Sequence, residues 1–359
     1  MPFAVPTLED LVKRAARAFR ANLKGSDAML WPNNVATSSK VIGGAVWEPF
    51  SFLEYISRQI FAATADQRFL ERHAYDFGLS RLPATFASGT VQLNGDADIT
   101  VPAGLELERG DGLVYVITRG GRTSDEGLLD VAVRCQTAGR TGNALPGVAM
   151  TLREPFARIE PDGEVAASGI GGGADVESDA SLRARVLFRK RMPPHGGAAH
   201  DYVAWAREIN GVTRVFVDPV TSTNARTTIG VWVLMDGTYT NGIPLEADVD
   251  RVAAYIDTVR PAGALVDVMA PSATPVAITI TGLSPDTSAV RDAVRAELAD
   301  LFQRARVSTL TDPFQMFRSK IVEAISAATG EDHHTVTVPA GDTTAAAGQL
   351  LTLGAVTFA

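Results

Sequence analysis

The chain has 359 residues, of which 46% are hydrophobic and 21% charged, and its formal net charge is -8. This length predicts about two to four domains of a soluble globular protein, and the acidic balance disfavours a nucleic-acid-binding protein, whose binding face is basic. The single cysteine, Cys135, excludes an intrachain disulfide and a cysteine-based zinc site. Without a signal peptide or a long apolar window, we expect a soluble protein made in the cytoplasm, not in a membrane.

The first 82 residues are predicted to form a helical segment. Thr7 is placed to cap a first helix that Gly25 ends, because threonine satisfies free N–H groups at a helix start and glycine ends helices readily. A weaker second helix is predicted over residues 35–46, before Pro49, since proline interrupts helix interiors.

Two further helices complete this segment. One carries Leu53, Ile56 and Ile60 on one side, and the other covers residues 66–77. These amphipathic helices precede any strand-rich core. They either form a bundle of their own or complete one with another chain, so Leu53, Ile56 and Ile60 are candidate interface residues.

Residues 83–168 are predicted to form a small antiparallel β domain. Short strand-like runs alternate there with turn signals, such as Asn94-Gly95 and the glycine-rich connection over residues 139–147. The change of period marks the end of the helical segment.

A stretch rich in Gly, Ala and Ser over residues 163–175 contains Gly171, Gly172 and Gly173. The shift in composition predicts a domain boundary, and the three glycines are a candidate hinge. A phosphate-binding loop would need the Lys and Ser/Thr pair of the P-loop pattern, which this stretch lacks.

The helix after these glycines begins with acids and ends with bases. Asp175, Glu177 and Asp179 alternate as calcium-loop ligands do, but the rest of that pattern is missing, and negative charge at a helix start is favoured by the helix dipole. The basic run is either a solvated helix face or a site for an anion or an acidic partner. It comprises Arg183, Arg185, Arg189, Lys190 and Arg191.

Residues 169–270 and 271–359 are predicted to form two small α/β sandwich-type domains, which makes the chain an α+β multidomain protein. In the first of them, the order helix, strand, strand, helix, strand suggests an antiparallel sheet. Tyr202 and Trp205 are large amphipathic residues that either core packing or interface anchoring explains, and they are candidate interface residues.

No constellation for catalysis, a metal or a cofactor emerges from the sequence. His333 and His334 would point to opposite faces of a strand, and His200 and Asp201 would diverge by about 100° on a helix. The sequence contains neither a Gly-x-Ser-x-Gly elbow nor a His-Glu-x-x-His motif. The residues alone therefore indicate no catalytic, metal-binding or cofactor-binding site.

The segment over residues 169–217 resembles the baseplate J-like family, which includes the phage Mu-type baseplate wedge proteins of contractile tails. The resemblance starts in residues 169–185 and continues through Gly196, Gly197, Asp201, Tyr202, Trp205 and residues 211–215. Other stretches are similar to the family's helix-to-sheet junction, β-domain turns and closing strand. They are residues 69–91, 101–104, 139–143 and 353–358.

The resemblance implies a structural baseplate wedge subunit that is not an enzyme and has no catalytic, metal-binding or cofactor-binding residues. Such proteins surround the hub of a contractile tail, commonly occur as two copies per wedge, link wedges into a ring, and join their N-terminal helices to another wedge protein. The expected partners are other wedge proteins and neighbouring copies of the chain, with hub and sheath proteins as further candidates. The expected location is the virion tail baseplate, assembled in the host cytoplasm, where domain movement would transmit the trigger for sheath contraction.

Two other functions remain as alternatives. A tail-associated glycan hydrolase would need paired carboxylates in a cleft, and the acids available for it are Asp96, Asp98, Glu106 and Glu108. A receptor-binding module would bind host cells on its own.

Overall fold

The computed structural model of the chain describes residues 5–23, 25, 34–219 and 228–359. It combines helices with several β-sheets, which confirms the predicted α+β class. The chain divides into two units, the first with residues 1–80 and 182–190 and the second with residues 81–181 and 191–359.

Helices build the described part of the first unit, and a capping box starts the first of them. The hydroxyl of Thr7 accepts a hydrogen bond from the N–H of Asp10 (3.2 Å), and the Asp10 carboxylate accepts one from the N–H of Thr7 (3.3 Å). Thr7 is therefore the N-cap, but the helix ends at Asn22, before the predicted end at Gly25. The helices are α1 (Leu8–Asn22), α2 (Asn34–Gln59), α3 (Gln67–Asp76) and α4 (Asp179–Arg191), the last with its residues 182–190 in this unit.

The prediction of separate helices on the two sides of Pro49 is wrong, because α2 runs through this proline as one helix of 26 residues. Proline inside a helix costs about 3 kcal/mol, since one backbone hydrogen bond is lost. The other turns of α2 keep their hydrogen bonds, and α2 packs closely on α1: a Cβ atom added at Gly43 would lie 2.5 Å from Cγ2 of Val12. One lost bond is therefore not enough to end the helix.

Helix α4 completes the core of the first unit, although the whole β domain separates it from α3 in the sequence. Leu182 and Val186 of α4 are fully buried together with Leu70 and Ala74 of α3. The predicted domains are four consecutive segments, 1–82, 83–168, 169–270 and 271–359, and none of them joins residues 182–190 to the N-terminal helices. Their boundaries stay predictions.

The second unit begins with a closed barrel of six antiparallel strands in the order β1-β6-β4-β3-β7-β8. The barrel closes because β1 pairs on both sides: Val91 lies opposite Val131 of β6 and opposite Val165 of β8. The sequence predicts an antiparallel β domain but not the closure of its sheet into a barrel. The strands are β1 (Phe86–Gly95), β2 (Thr100–Val101), β3 (Glu106–Arg109), β4 (Val114–Arg119), β5 (Gly121–Arg122), β6 (Leu128–Ala138), β7 (Ala149–Leu152) and β8 (Ile159–Gly171), with β2 and β5 forming a separate ribbon.

Gly89 allows β1 and β8 to approach closely inside this barrel. A Cβ atom there would lie 2.4 Å from the carbonyl oxygen of Gly169 and 2.8 Å from Cα of Ile170. We expect Gly89→Ala to lower the free energy of unfolding by about 2 kcal/mol, because backbone atoms cannot rotate out of the way. Urea unfolding measures the loss, and Gly110→Ala, where an added Cβ meets nothing within 4 Å, is the control. Equal midpoints for the two variants would contradict the prediction.

Tyr115 of β4 is buried in the barrel core, and its hydroxyl donates a 2.8 Å hydrogen bond to the carbonyl oxygen of Gly142. Burial raises the pKa of Tyr115 to about 12. The unfolded chain has a tyrosine pKa of about 10, so it loses the proton first, and stability present below pH 10 is lost as the pH rises toward 12.

We therefore expect the urea midpoint to fall between about pH 9 and about pH 11. The fall should be smaller in Tyr115→Phe, which has no phenolic proton to lose. An identical fall in the two proteins would show that Tyr115 does not cause it.

After the barrel, the described residues form a three-stranded sheet in the order β11-β10-β9, with α5 and α6 packed on one face. The predicted antiparallel sheet is wrong, because β9 is antiparallel to β10 but β11 is parallel to it. Helix α6 connects β10 to β11, and a crossover of this kind makes the two strands parallel. The elements are α5 (Ala199–Ala206), β9 (Arg214–Asp218), β10 (Thr228–Leu234), α6 (Glu246–Val259) and β11 (Leu265–Met269).

The C-terminal part repeats this mixed arrangement. Its main sheet has the order β14-β12-β16, with β12 antiparallel to β14 and parallel to β16. Helices α7 and α8 contribute to its core, and β13 pairs with β15 in a small ribbon. The elements are β12 (Ser272–Ser284), α7 (Ser288–Gln303), β13 (Gln315–Met316), α8 (Arg318–Ser326), β14 (His333–Val338), β15 (Thr343–Thr344) and β16 (Gln349–Phe358).

Strand β10 belongs to two cores at once. Val231 and Val233 pack with α5 and α6, whereas Trp232 and Leu234 point to the other face and pack into the C-terminal core. Successive strand residues face opposite sides of a sheet, so burial on both faces explains the nearly continuous apolar run of β10.

Candidate assembly surfaces

A stripe of apolar residues, called the α2 seam below, follows one side of α2 and is exposed. Its residues recur at alternating spacings of four and three, which is the pattern of a coiled-coil contact. Three candidate interface residues belong to it: Leu53 is 59% exposed, Ile56 39% and Ile60 60%. The α2 seam comprises Ile42, Val46, Pro49, Leu53, Ile56 and Ile60.

Other large apolar side chains of α2 are exposed as well, on both sides of the helix. Val41, Trp47, Phe52 and Tyr55 of α2 also lie exposed to solvent. Large apolar side chains exposed in this number on one helix are typical of a surface that binds something. The spacing of the α2 seam fits a second helix lying along α2.

Polar bonds fix the C-terminal end of α2 without using the seam. The Gln59 side chain donates to Oδ2 of Asp66 (2.9 Å) and accepts from the N–H of Asp66 (2.8 Å). Nε2 of His73, on α3, lies 2.8 Å from the carbonyl oxygen of Gln59. Substitutions in the α2 seam can therefore change its surface while these anchoring bonds stay in place.

The candidate hinge glycines are buried and hydrogen-bonded. The N–H of Gly172 donates to Oδ1 of Asp248 (2.7 Å), and its carbonyl oxygen accepts from the Thr85 hydroxyl (2.5 Å) and from Nη1 of Arg251 (2.8 Å). These bonds connect the end of the barrel to helix α6. The glycine junction comprises Gly171, Gly172 and Gly173.

The glycine junction also has no room for larger side chains at Gly171 and Gly173. An added Cβ would lie 2.6 Å from Oδ2 of Asp248 at Gly171, and 2.6 Å from Oδ1 of Asn143 at Gly173. Gly172 has a φ of +83°, a conformation that glycine adopts without strain. The N–H of Gly173 donates a 2.8 Å hydrogen bond to Oδ1 of Asn143. Movement at the junction would have to break this bond and the bond to Asp248, and the hinge stays a prediction.

Asp248 is the centre of this junction, and it is 1% exposed. Its carboxylate accepts hydrogen bonds from the hydroxyl of Tyr239 and from the N–H of Gly172, and lies 3.2 Å from Nη2 of Arg251. Burial raises the pKa of Tyr239, and the Asp248 charge raises it further, so the hydroxyl stays a donor. Sequence reasoning missed this Asp248 clasp, formed with Tyr239 and Arg251, because an acid in the first turn of a helix is common for electrostatic reasons alone.

The two candidate interface residues of α5 differ in position. Tyr202 is 1% exposed and lies in the core between α5, α6 and the sheet, so it is a core residue. Trp205 contacts it edge to face, with ring centroids 4.9 Å apart, and is partly buried. Part of the Trp205 surface is open, and its role in an interface stays a prediction.

Two members of the basic run bind backbone oxygens within the first unit. Arg183 donates to the carbonyl oxygens of Ala62 (3.1 Å) and Ala65 (2.8 Å), and Arg185 donates to that of Ser80 (3.2 Å). Arg183 and Arg185 therefore belong neither to a solvated helix face nor to a site for an external acidic partner, the two alternatives that the sequence left open. They hold the turns that follow α2 and α3.

The acids at the start of α4 have separate partners and do not converge. Oδ1 of Asp175 accepts from the N–H of Arg140, Glu177 accepts from the N–H of Leu82, and Asp179 pairs with Arg81. Throughout the described residues, no group of three or more His, Cys, Asp or Glu side chains is placed to hold a metal ion.

His200 and Asp201 lie closer than the helical spacing predicts. Nε2 of His200 is 3.5 Å from Oδ1 of Asp201, because the imidazole turns toward the start of α5. Burial raises the pKa of Asp201, but hydrogen bonds from the N–H groups of Gly197, His195 and Ala198 outweigh it and keep the pKa below its usual value. Asp201 therefore serves as an anionic cap for the α5 start.

The acids considered for glycan hydrolysis lie in ion pairs on the barrel surface. Arg153 pairs with Glu106 (2.7 Å) and with Glu108 (3.2 Å). The Arg153 hydrogen bond lowers the pKa of Glu106, and one from Gln136 lowers it further, whereas a general acid of a glycosidase needs a raised pKa. Asp96 and Asp98 pair with Arg158 and Arg122.

The described helices include none that is both long and apolar enough to cross a lipid bilayer. Comparison with known protein families gives three matches along the chain. Residues 90–172 match the baseplate J-like protein barrel domain, residues 194–270 the baseplate J-like central domain, and residues 276–359 the baseplate J-like protein C-terminal domain.

Individual relatives match over nearly the whole length. Baseplate protein gp47 of Escherichia phage Mu is 32% identical over 99% of both chains, and the Mu-like prophage FluMu protein gp47 of Haemophilus influenzae is 30% identical over 95% of both. The cryo-EM structure of the anti-feeding prophage baseplate contains a chain with 11% identity and a TM-score of 0.42, covering 97% of this chain and 90% of that one.

Proposed function

The chain belongs to the baseplate J-like protein family, and from this premise we propose that it is a wedge subunit of a contractile tail baseplate. Its role in a phage-type baseplate is structural, and its location is the tail baseplate of the virion. As a wedge subunit it would be assembled in the host cytoplasm, link wedges into a ring around the hub and transmit the trigger for sheath contraction.

The single observation that carries this proposal beyond family membership is the exposed α2 seam. A 26-residue helix with a line of apolar residues at coiled-coil spacing, five of them at least 39% exposed, is suited to a bundle with helices of another chain. The proposed occupant is the helical segment of another wedge protein. A neighbouring copy of the chain would complete the wedge.

The glycine junction is the proposed site of movement on triggering. It lies between the barrel and helix α6, and the Asp248 clasp holds it closed. A trigger would have to supply the free energy that opens the clasp. In this proposal the junction is a two-state element, in contrast to a freely flexible linker.

Co-expression with the other baseplate proteins of the same tail tests the proposal. We expect the chain to enter a ring-shaped complex, visible by cryo-electron microscopy, with α2 inside a helical bundle. A ring that assembles without the chain, or an assembled particle that carries it outside the baseplate, would overturn the proposal.

A further inference from the structure

A groove between the end of α7 and the start of α8 combines an apolar floor with a cationic rim. It has a volume of about 500 Å³, and Phe314 and Phe317 line it, with 50% of Phe317 exposed. The charged residues lining it are all cations: Arg304, Arg306 and Lys320. In a chain with a net charge of -8, this α7–α8 groove stands out as a place for an acidic, partly apolar segment.

The cations of the groove are available to an incoming anion. Arg306 pairs with Asp312 and Lys320 with Glu323, but these four side chains are between 50% and 67% exposed. Nε of Arg304 donates to the carbonyl oxygen of Asp300 at 3.1 Å. Exposed ion pairs contribute about 1 kcal/mol or less, so re-pairing with a docked carboxylate costs little.

A matching segment lies at the tip of the turn between β5 and β6, where barrel strand β6 begins. Asp125 and Glu126 are exposed, and neither side chain has an ion pair in the described structure. Leu128, beside them, is 40% exposed. The barrel residues 86–171 contain 12 acids and seven arginines, so the surrounding surface is acidic as well.

Backbone bonds hold this tip in one conformation. The N–H of Ser124 donates to the carbonyl oxygen of Leu128 (2.8 Å), the N–H of Gly127 donates to that of Ser124 (2.9 Å), and Gly127 has a φ of +79°. A preformed tip loses little conformational entropy on binding, which favours docking.

We propose that the acidic tip of one copy, residues 124–128, docks into the α7–α8 groove of the next copy. Leu128 fills the apolar floor against Phe314 and Phe317, while Asp125 and Glu126 pair with the cations of the rim. The tip and the groove are different surfaces, so the contact is head-to-tail, and a head-to-tail contact closes into a ring when the rotation allows. This inference rests on the proposed function and names the surfaces through which neighbouring copies meet.

Cysteine cross-linking in the assembled baseplate tests the contact. The one native thiol, Cys135, is buried, so the double variant Leu128→Cys/Phe317→Cys adds the accessible thiols. With diamide as oxidant, we expect a ladder of products longer than a dimer on non-reducing gels, since each copy carries one tip and one groove. Leu128→Cys/Leu265→Cys, with the second thiol at an exposed site outside the groove, should give at least tenfold less product.

Charge reversal gives a second, independent measurement. Asp125→Lys/Glu126→Lys should reduce ring formation at least tenfold, and so should Arg304→Glu/Arg306→Glu/Lys320→Glu. Mixing the two reversed proteins should restore contacts between unlike copies. Glu154→Lys/Glu160→Lys, at two exposed barrel acids, is the matched control and should assemble normally.

The outcomes separate this inference from the proposed function. If the chain enters the ring but the tip and groove thiols do not cross-link, or the reversed proteins assemble as well as the control, the contact is refuted and the wedge assignment stands. A cross-link from the groove to a different baseplate protein refutes the second copy as occupant. If the chain enters no ring at all, the proposed function fails first.

Discussion

Replacing Leu53 and Ile56 with aspartate is expected to abolish wedge assembly while the isolated chain stays folded. Both side chains belong to the α2 seam and are 59% and 39% exposed, so the change removes no packed core residue. In a bundle they would be buried, and each aliphatic side chain contributes about 1.5–3 kcal/mol on burial. Loss of both predicts binding to the partner helices that is weaker by at least about 100-fold, before the cost of burying two carboxylates is counted.

Pull-down with the co-expressed partner and circular dichroism of the isolated chain measure the two halves of this prediction. The control is Gly44→Asp/Ser51→Asp, which adds the same charge on the opposite side of α2 from the seam. If the seam variant assembles as well as this control, the α2 seam is not the contact. If it unfolds in isolation, the seam is a structural surface of the monomer.

Asp248→Ala is expected to destabilise the second unit by about 3 kcal/mol or more. The substitution leaves the Arg251 guanidinium, the Tyr239 hydroxyl and the N–H of Gly172 without their buried acceptor, and removing one partner of a buried charge pair costs about 3–5 kcal/mol. Thermal unfolding measures the loss. Hydrogen exchange at the Gly172 amide should accelerate more than exchange in the barrel strands.

The control for this variant is Asp250→Ala, because Asp250 lies on the same helix but is exposed. Asp248→Asn should fall between the two, since an amide oxygen still accepts a hydrogen bond but carries no charge. Equal melting temperatures for Asp248→Ala and Asp250→Ala would mean that the clasp adds nothing to stability.

The parts of the fold that depend on local sequence were predictable. The cap at Thr7 and the strand-like runs of the barrel follow from residue types within a few positions. Pro49 misled the prediction because its local cost was weighed without the packing of α2 on α1 at Gly43, which the sequence does not reveal. Tertiary packing often overrides a local preference of this size.

Long-range features were not predictable in the same way. The parallel pairing of β10 with β11 depends on which edge of the sheet the chain returns to after α6. The pairing of β1 with both β6 and β8 likewise depends on how the sheet closes in three dimensions, which residue types within a strand do not indicate.

The candidate assembly surfaces show the same limit. Leu53, Ile56 and Ile60 were found because apolar periodicity is visible in one helix. Asp248 was missed because its partner Gly172 lies 76 positions away in the chain. A single sequence offers no signal that joins an acid in a helix start to a distant glycine.

The two-sided burial of β10 limits how this family can exchange parts. Trp232 and Leu234 of β10 pack in the C-terminal core. In a chimera joined near residue 270, they would pack against a C-terminal region taken from a relative, whose core side chains evolved against that relative's own strand. The central sheet with its helices and the C-terminal part must therefore evolve together or be transferred together. A recombination point before α5 would move an intact pair of cores, because α5 packs on the same sheet, and modular inheritance along this chain is expected to respect that larger block.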